Sequence, residues 1–210
     1  LKPAPAAQVA AGGRPTGESL GQALRDRRFW WLYAAVVLGA PGMFIPFAHV
    51  SAAARDLGID SARAVGLVGL VGIGSLIGRF AIGALADRIG RLLTLTLALA
   101  SMGLSFLMWW AAGGYPALAV FALWFGLSYG GIVSLLPAIC MDLFGARAVA
   151  SILGTLYTGA AAGNLLGPVV AGAVFDRSGS YALVMWGSLA LSGLAALASA
   201  RLLGMRGNAY

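Results

Sequence analysis

An arginine inside an apolar stretch is the first group in this sequence that could do chemistry. Arg79 stands in GSLIGRFAIGALADRIG, Gly74 to Gly90, eight residues before Asp87. In a helix it sits about 12 Å from the polar end of a span that crosses about 30 Å of hydrocarbon. A guanidinium near a membrane helix centre costs about 2.5 to 3.5 kcal/mol on insertion scales, so such residues face a bundle interior or a watery cavity. At i−7, i−4 and i+4 stand Gly72, Ser75 and Gly83, small or polar groups that leave room beside the guanidinium. A planar fork of donors suits a carboxylate, so the chemistry implied is anion binding. The competing reading is a structural arginine bonded to neighbouring carbonyls.

Further polar groups lie at comparable depth. Asn164 is twelve residues before Asp176, about 18 Å along a helix. Tyr157 and Thr158 come one to two turns earlier, and Ser128, Tyr129 and Ser134 interrupt another apolar run. Serines and threonines in membrane helices usually bond to their own backbone or a neighbour. Gly159, Gly163 and Gly167 recur every four residues, the spacing that lets a second helix approach closely. His49 follows Pro41 and Pro46 at the expected end of the first span, where it could take a proton or line an entrance. No Ser/His, paired-carboxylate or metal-binding set occurs, so no catalytic residue, metal or cofactor is expected.

The elements that position these groups follow from composition. The 210 residues are 60% hydrophobic and 10% charged, against about 25% charged in soluble domains. Spans are expected at 29–50, 62–86, 92–112, 116–140, 149–175 and 181–203, making a six-helix bundle over 29–203. Residues 1–28 read as a cytoplasmic linker with a short juxtamembrane helix, and 204–210 as a cytoplasmic tail. Phe29, Trp30, Trp31 and Tyr33 form an interfacial anchor. The single cysteine, Cys140, excludes an internal disulfide. The net charge of +7 reflects loops flanking the bilayer rather than nucleic-acid binding. With the N-terminus inside, inside segments hold Lys2, Arg14, Arg25, Arg27, Arg28, Arg88, Arg91, Arg147, Arg201 and Arg206, and outside loops hold Arg55, Arg63 and Arg177. That bias sets both ends of the chain on the cytoplasmic side. Thirteen arginines against one lysine, with abundant alanine and glycine, suit a GC-rich bacterium and hence an inner membrane.

The second and fifth spans align at an offset of 89. GSLIGRFAIGALADRIG from Gly74 and GNLLGPVVAGAVFDRSG from Gly163 share eight of 17 positions, including Asp-Arg-x-Gly at each span's end. Three spans separate the copies, so they leave opposite faces of the membrane, the mark of a three-plus-three inverted repeat. Asn164 is the counterpart of Ser75 in this repeat.

Gly83-x-x-x-Asp87-Arg88-x-Gly90-Arg91 resembles the signature loop of the major facilitator superfamily, which follows its second and eighth helices. In that family the acid pairs with a neighbouring helix end or arginine as a cytoplasmic latch. The polar segment leading into RDRRFWWLYA is similar to the central loop and seventh helix, which implies the carboxyl-terminal half of a twelve-helix fold. Gly78-Arg79, and Gly167-Pro168 followed by Gly172, Asp176, Gly179 and Tyr181, are similar to the monocarboxylate transporters and oxalate/formate antiporters. In those relatives the eighth-helix arginine contacts the substrate carboxylate, and Arg79 matches it. Two departures limit this. Ser75 replaces an acid implicated in proton coupling, and the 149–175 helix lacks the lysine that holds a second carboxylate in the oxalate antiporters.

The resemblance therefore implies the six-helix C-terminal half of a secondary transporter, antiporter or symporter, that moves a small organic anion by alternating access. A monocarboxylate is favoured over a dicarboxylate. Its partners would be the N-terminal half and the lipid bilayer. Proton coupling, where it occurs, would need His49 or a group in that other half. The expected substrate contacts are Arg79, Ser75, Asn164, Tyr157 and Tyr129, with Gly83, Asp87, Arg88, Gly90 and Arg91 in the signature loop. The alternatives are a six-helix scaffold without transport and a carrier for a non-carboxylate solute.

Overall fold

Long apolar runs without competing polar groups must satisfy their backbones internally, and in lipid only helices and closed barrels do so. The computed structural model describes residues 16–207, and side chains through Met205. The outer parts of the expected linker and tail, with Lys2 and Arg14, lie outside the described residues, as does the Arg206 side chain. A one-turn helix, α1 (Leu20–Ala23), precedes six long ones: α2 (Arg27–Asp56), α3 (Ser61–Ile89), α4 (Arg91–Trp110), α5 (Tyr115–Phe144), α6 (Val149–Ser178) and α7 (Ala182–Gly207). All six are long and apolar enough to cross a membrane.

Several helices outrun the apolar windows. At 30 residues each, α2, α5 and α6 are about 45 Å long, against about 30 Å of hydrocarbon. Their ends continue into the headgroup layer, where water satisfies the last carbonyls. Helix α2 also continues through Pro41 and Pro46 to Asp56. His49 is therefore not at a helix end, as the sequence suggested, but two turns inside one.

Helices α3 and α6 pack mainly on α5 and α2, α4 packs on α7, and the α2–α7 and α4–α5 faces complete the bundle. Exchanging α2–α4 with α5–α7 leaves this pattern unchanged, and α3 and α6 run in opposite directions, so the fold is a three-plus-three inverted repeat. Glycine makes the tightest contacts possible. A Cβ on Gly74 would strike the Leu123 carbonyl, and one on Gly78 the Leu127 carbonyl; on the facing helix, Gly126 and Gly130 meet the carbonyls of Val71 and Ser75. The repeat copies do the same elsewhere. A Cβ on Gly163 would lie 3.0 Å from Pro41 Cδ, and one on Gly167 2.8 Å from the Pro41 backbone, while Gly159 faces Val37 and Tyr33. The glycine stripe of α6 is thus buried against α2 at its first proline.

One end of the bundle is tied by polar contacts. Ser19 and Gln22 cap α1 reciprocally, and Asp26 caps α2. Residues ahead of α1 pair with the α5–α6 loop: the Glu18 N–H donates to the Phe144 carbonyl at 2.7 Å, and the Ala146 N–H to the Thr16 carbonyl at 3.0 Å. Arg28 bonds Glu18 at 2.8 Å and lies over the Phe144 ring.

Candidate functional site

Helix α3 carries Arg79 ten residues before its C-terminal end, about 15 Å along the axis. The side chain is exposed and makes no ion pair or hydrogen bond among the described residues. It lines a hollow of about 370 Å³ with Ser75 and Gly72 from its own helix, Phe47 from α2 and Tyr129 from α5. Ser75 is buried, at 7% exposure, because Gly130 brings α5 onto its backbone. A Cβ at Gly72 or Gly83 would meet nothing within 4 Å, so the arginine's helix face is unobstructed.

Tyr129 is also a wall of a second, more enclosed cavity of about 170 Å³, with Tyr157 and Asn164 from α6 opposite it and Met43, Phe44 and Leu99 between. The structure thus brings Arg79, Ser75 and Tyr129 together on one side, and Tyr129, Tyr157 and Asn164 on the other. Phe44 and Phe47 hold Tyr129 edge-on, with ring centroids 6.4 and 5.4 Å away, while Phe125 stacks on it at 6.2 Å. Asn164 Oδ1 is buried with no hydrogen-bond partner, and an unmade bond of that kind costs about 1 to 3 kcal/mol. Ser75 and Asn164, the repeat counterparts, thus each line a hollow that has Tyr129 in its wall.

Ser192 Oγ of α7 is likewise buried without a partner, while several other polar groups of the spans are absorbed by the helices. Ser134 donates to the Gly131 carbonyl at 2.9 Å and Thr158 to the Thr155 carbonyl at 2.7 Å. Ser128 meets Ser101 of α4 at 3.1 Å, and Ser101 also accepts from Trp124 Nε1 at 2.8 Å. His49 bridges three elements. Its Nε2 lies 3.0 Å from the Pro168 carbonyl of α6 and its Nδ1 3.2 Å from the Tyr181 hydroxyl before α7. A neutral ring with the proton on Nε2 satisfies both contacts, donating to the carbonyl and accepting from the hydroxyl.

At the signature loop, Gly90 alone joins α3 to α4, with φ +93°, a conformation that favours glycine. Gly83 is half-buried, and Asp87 and Arg88 are exposed. Asp87 makes no ion pair among the described residues. The bond that forms here is instead Arg91 Nη1 to Asp142 Oδ1, 2.7 Å, linking the start of α4 to the end of α5. Asp142 was not singled out from sequence, and neither were Phe44 and Phe47. Asp142 has no spacing that marks it, whereas two phenylalanines flanking Pro46 were a readable signal.

Comparison with known proteins follows the same lines. The family model described as Major Facilitator Superfamily matches residues 31–207. The chain is 34% identical over 166 residues to Monocarboxylate transporter 3 of Rattus norvegicus, covering 77% of this chain and 34% of that protein. Monocarboxylate transporter 11 of Homo sapiens is 31% identical over 193 residues, 83% of this chain and 40% of its own length. The MFS transporter asaE of Aspergillus flavus is 29% identical over 197 residues, 92% and 45% respectively. The chain spans less than half the length of these relatives. With six apolar helices in an inverted repeat and a family match over nearly all of them, this multi-pass membrane chain belongs to the major facilitator superfamily.

Proposed function

We propose that this chain is the C-terminal half of a secondary carrier that moves a small organic anion, a monocarboxylate, by alternating access, with Arg79 holding the carboxylate. The observation that carries this is an unpaired guanidinium at mid-depth in a hollow shared with Ser75 and Tyr129. In a low-dielectric site such a cation requires an anionic partner, and Arg presents two parallel donors to one. Tyr129, Tyr157 and Asn164 would contact the rest of the substrate from the adjoining cavity. The names of two relatives support the substrate class, and the family and the transporter names support a carrier rather than an enzyme.

The missing cover supports the two-half arrangement. In the apolar windows of α3 and α6, 33% and 22% of residues are buried, against 56% in α4 and α5. These two helices, with Arg79 and Tyr157 exposed on them, would face the N-terminal half, and the substrate would lie between the halves. The arginine bias orients both ends of the chain toward the cytoplasm, in an inner membrane. The signature-loop end would then be the inward gate, with Asp87 free to engage the other half.

The test is monocarboxylate uptake by the full-length carrier in proteoliposomes. Arg79→Gln removes the charge and should lower uptake by about 10 to 100-fold, the loss for one unmade charged bond. Arg79→Lys keeps the charge without the fork and should fall between. Melting temperatures measured beside uptake separate a lost contact from a lost fold. Normal uptake by Arg79→Gln ends the anion-site reading.

A further inference from the structure

At the end of the bundle opposite the signature loop, a hollow of about 370 Å³ opens among the ends of α2, α4 and α6 and the start of α7. Its walls include Asp56, Trp109, Trp110, Phe175, Tyr181 and Met185. Three of the four helices present their C-terminal ends here, each the equivalent of about half a negative charge. Asp56 is itself the last residue of α2. A carboxylate at a helix C-terminus opposes the dipole, yet Asp56 is exposed and makes no ion pair among the described residues. Arg55, its neighbour in sequence, is not among the residues lining the hollow. Tyr181 is held between Phe175, at 4.3 Å, and Trp109, at 6.1 Å. Where its hydroxyl donates to His49, the oxygen still has lone pairs to offer. Trp110 stands at the rim, 54% exposed and 5.6 Å from Trp186 of α7, as tryptophans do at the membrane surface.

We infer that this hollow binds an ammonium group, with Asp56 and the converging helix ends as the negative partner and Trp110 as an aromatic wall. The carboxylate, the carbonyl ends of three helices and an indole favour a cation; against them stand the N-terminal end of α7 and the charge of Arg55, which reaches Tyr181 beside that of Asp56. The site is separate from Arg79 and does not depend on the anion-site reading. Two sources carry the same chemistry at this depth: the ethanolamine headgroup of a phospholipid, and a soluble amine.

Native mass spectrometry of the full-length carrier, extracted from vesicles of phosphatidylethanolamine and phosphatidylglycerol, measures which lipid is retained. The wild type should keep phosphatidylethanolamine in preference. Asp56→Asn should reduce that preference about tenfold, the loss of one charge-assisted bond, and Asp56→Glu should restore most of it. Lipid-free melting temperatures should match among the three, and Arg79→Gln should keep the wild-type preference. If no lipid preference is seen but ethanolamine raises the melting temperature of the wild type and not of Asp56→Asn, the site stands and its ligand is a soluble amine. Neither effect in the wild type, or either one persisting in Asp56→Asn, overturns the inference.

Discussion

Helices α3 and α6 share eight of 17 positions at an offset of 89, and one of the positions where they differ is that of Arg79. Both press glycines onto the first helix of the opposite repeat: Gly74 and Gly78 onto α5, Gly163 and Gly167 onto α2. Then they diverge. Arg79 in α3 corresponds to Pro168 in α6. The arginine leaves an unpaired charge facing outward, whereas the proline's carbonyl is taken up by His49 of α2. Repetition therefore preserved the packing surface, which the bundle cannot do without. The neighbouring position was left free to differ, carrying an unpaired charge in one copy and a carbonyl joined to α2 in the other.

That contrast can be broken first at the shared surface. Gly78→Val and Gly167→Val should each cost more than about 3 kcal/mol, because the added groups overlap backbone that cannot move aside. Size-exclusion profiles and melting temperatures should show both failing, and Gly69→Ala, in open space, should not. If Gly78→Val alone is tolerated, the two copies do not share a packing role. At the divergent position, Pro168→Ala should leave uptake within about twofold of wild type, a change of under about 0.5 kcal/mol, whereas Arg79→Gln loses it. Comparable losses from both would make position 79 structural too.

The joint itself is sharpened by a double-mutant cycle. His49→Phe should lower stability by about 1 to 2 kcal/mol, since the Pro168 carbonyl and Tyr181 hydroxyl both lose a partner. Tyr181→Phe should cost less, and the two together less than their sum; strict additivity means the ring and the hydroxyl do not act together. The smallest effect concerns how the two repeats begin. Helix α2 is capped by Asp26, while α5 starts at Gly114 without a side-chain cap. Burial alone would raise the Asp26 pKa, but the bonds from the Arg28 side chain and backbone, with its charge, outweigh it and hold the carboxyl below its ordinary value. Its contribution is therefore full above the ordinary carboxylate range and is lost as pH falls through the depressed folded-state value. Asp26→Asn should cost under about 1 kcal/mol for this partly exposed pair. The gap in melting temperature to wild type should close in strong acid, and a gap that persists there would mean the charge is not what stabilises the cap.

The spans, the inverted repeat and the family were legible in the sequence because each rests on a one-dimensional signal. Apolar length answers to bilayer thickness, and an 89-residue offset survives as identical letters. The glycines of α6 were legible for a similar reason, since a four-residue period must share a helix face. Their partners were not. Gly126 and Gly130 looked unremarkable until α5 lay against α3, and Asp142 could not be matched with Arg91 across 51 residues, because which helix ends become neighbours depends on how the bundle closes.

By itself, then, the sequence determined how far along its helix Arg79 stands from the polar end, since rise per residue and membrane thickness fix that coordinate. It also fixed the pairing of Ser75 with Asn164 by repeat position. Only the tertiary structure decided which side of each helix is covered. It put Phe44 and Phe47 against Tyr129, made that tyrosine the common wall of two cavities, and turned His49 from a helix-end residue into a bond between α2, α6 and α7. Depth is a property of one chain segment, whereas lateral neighbours come from close packing among all six, and no local pattern encodes that.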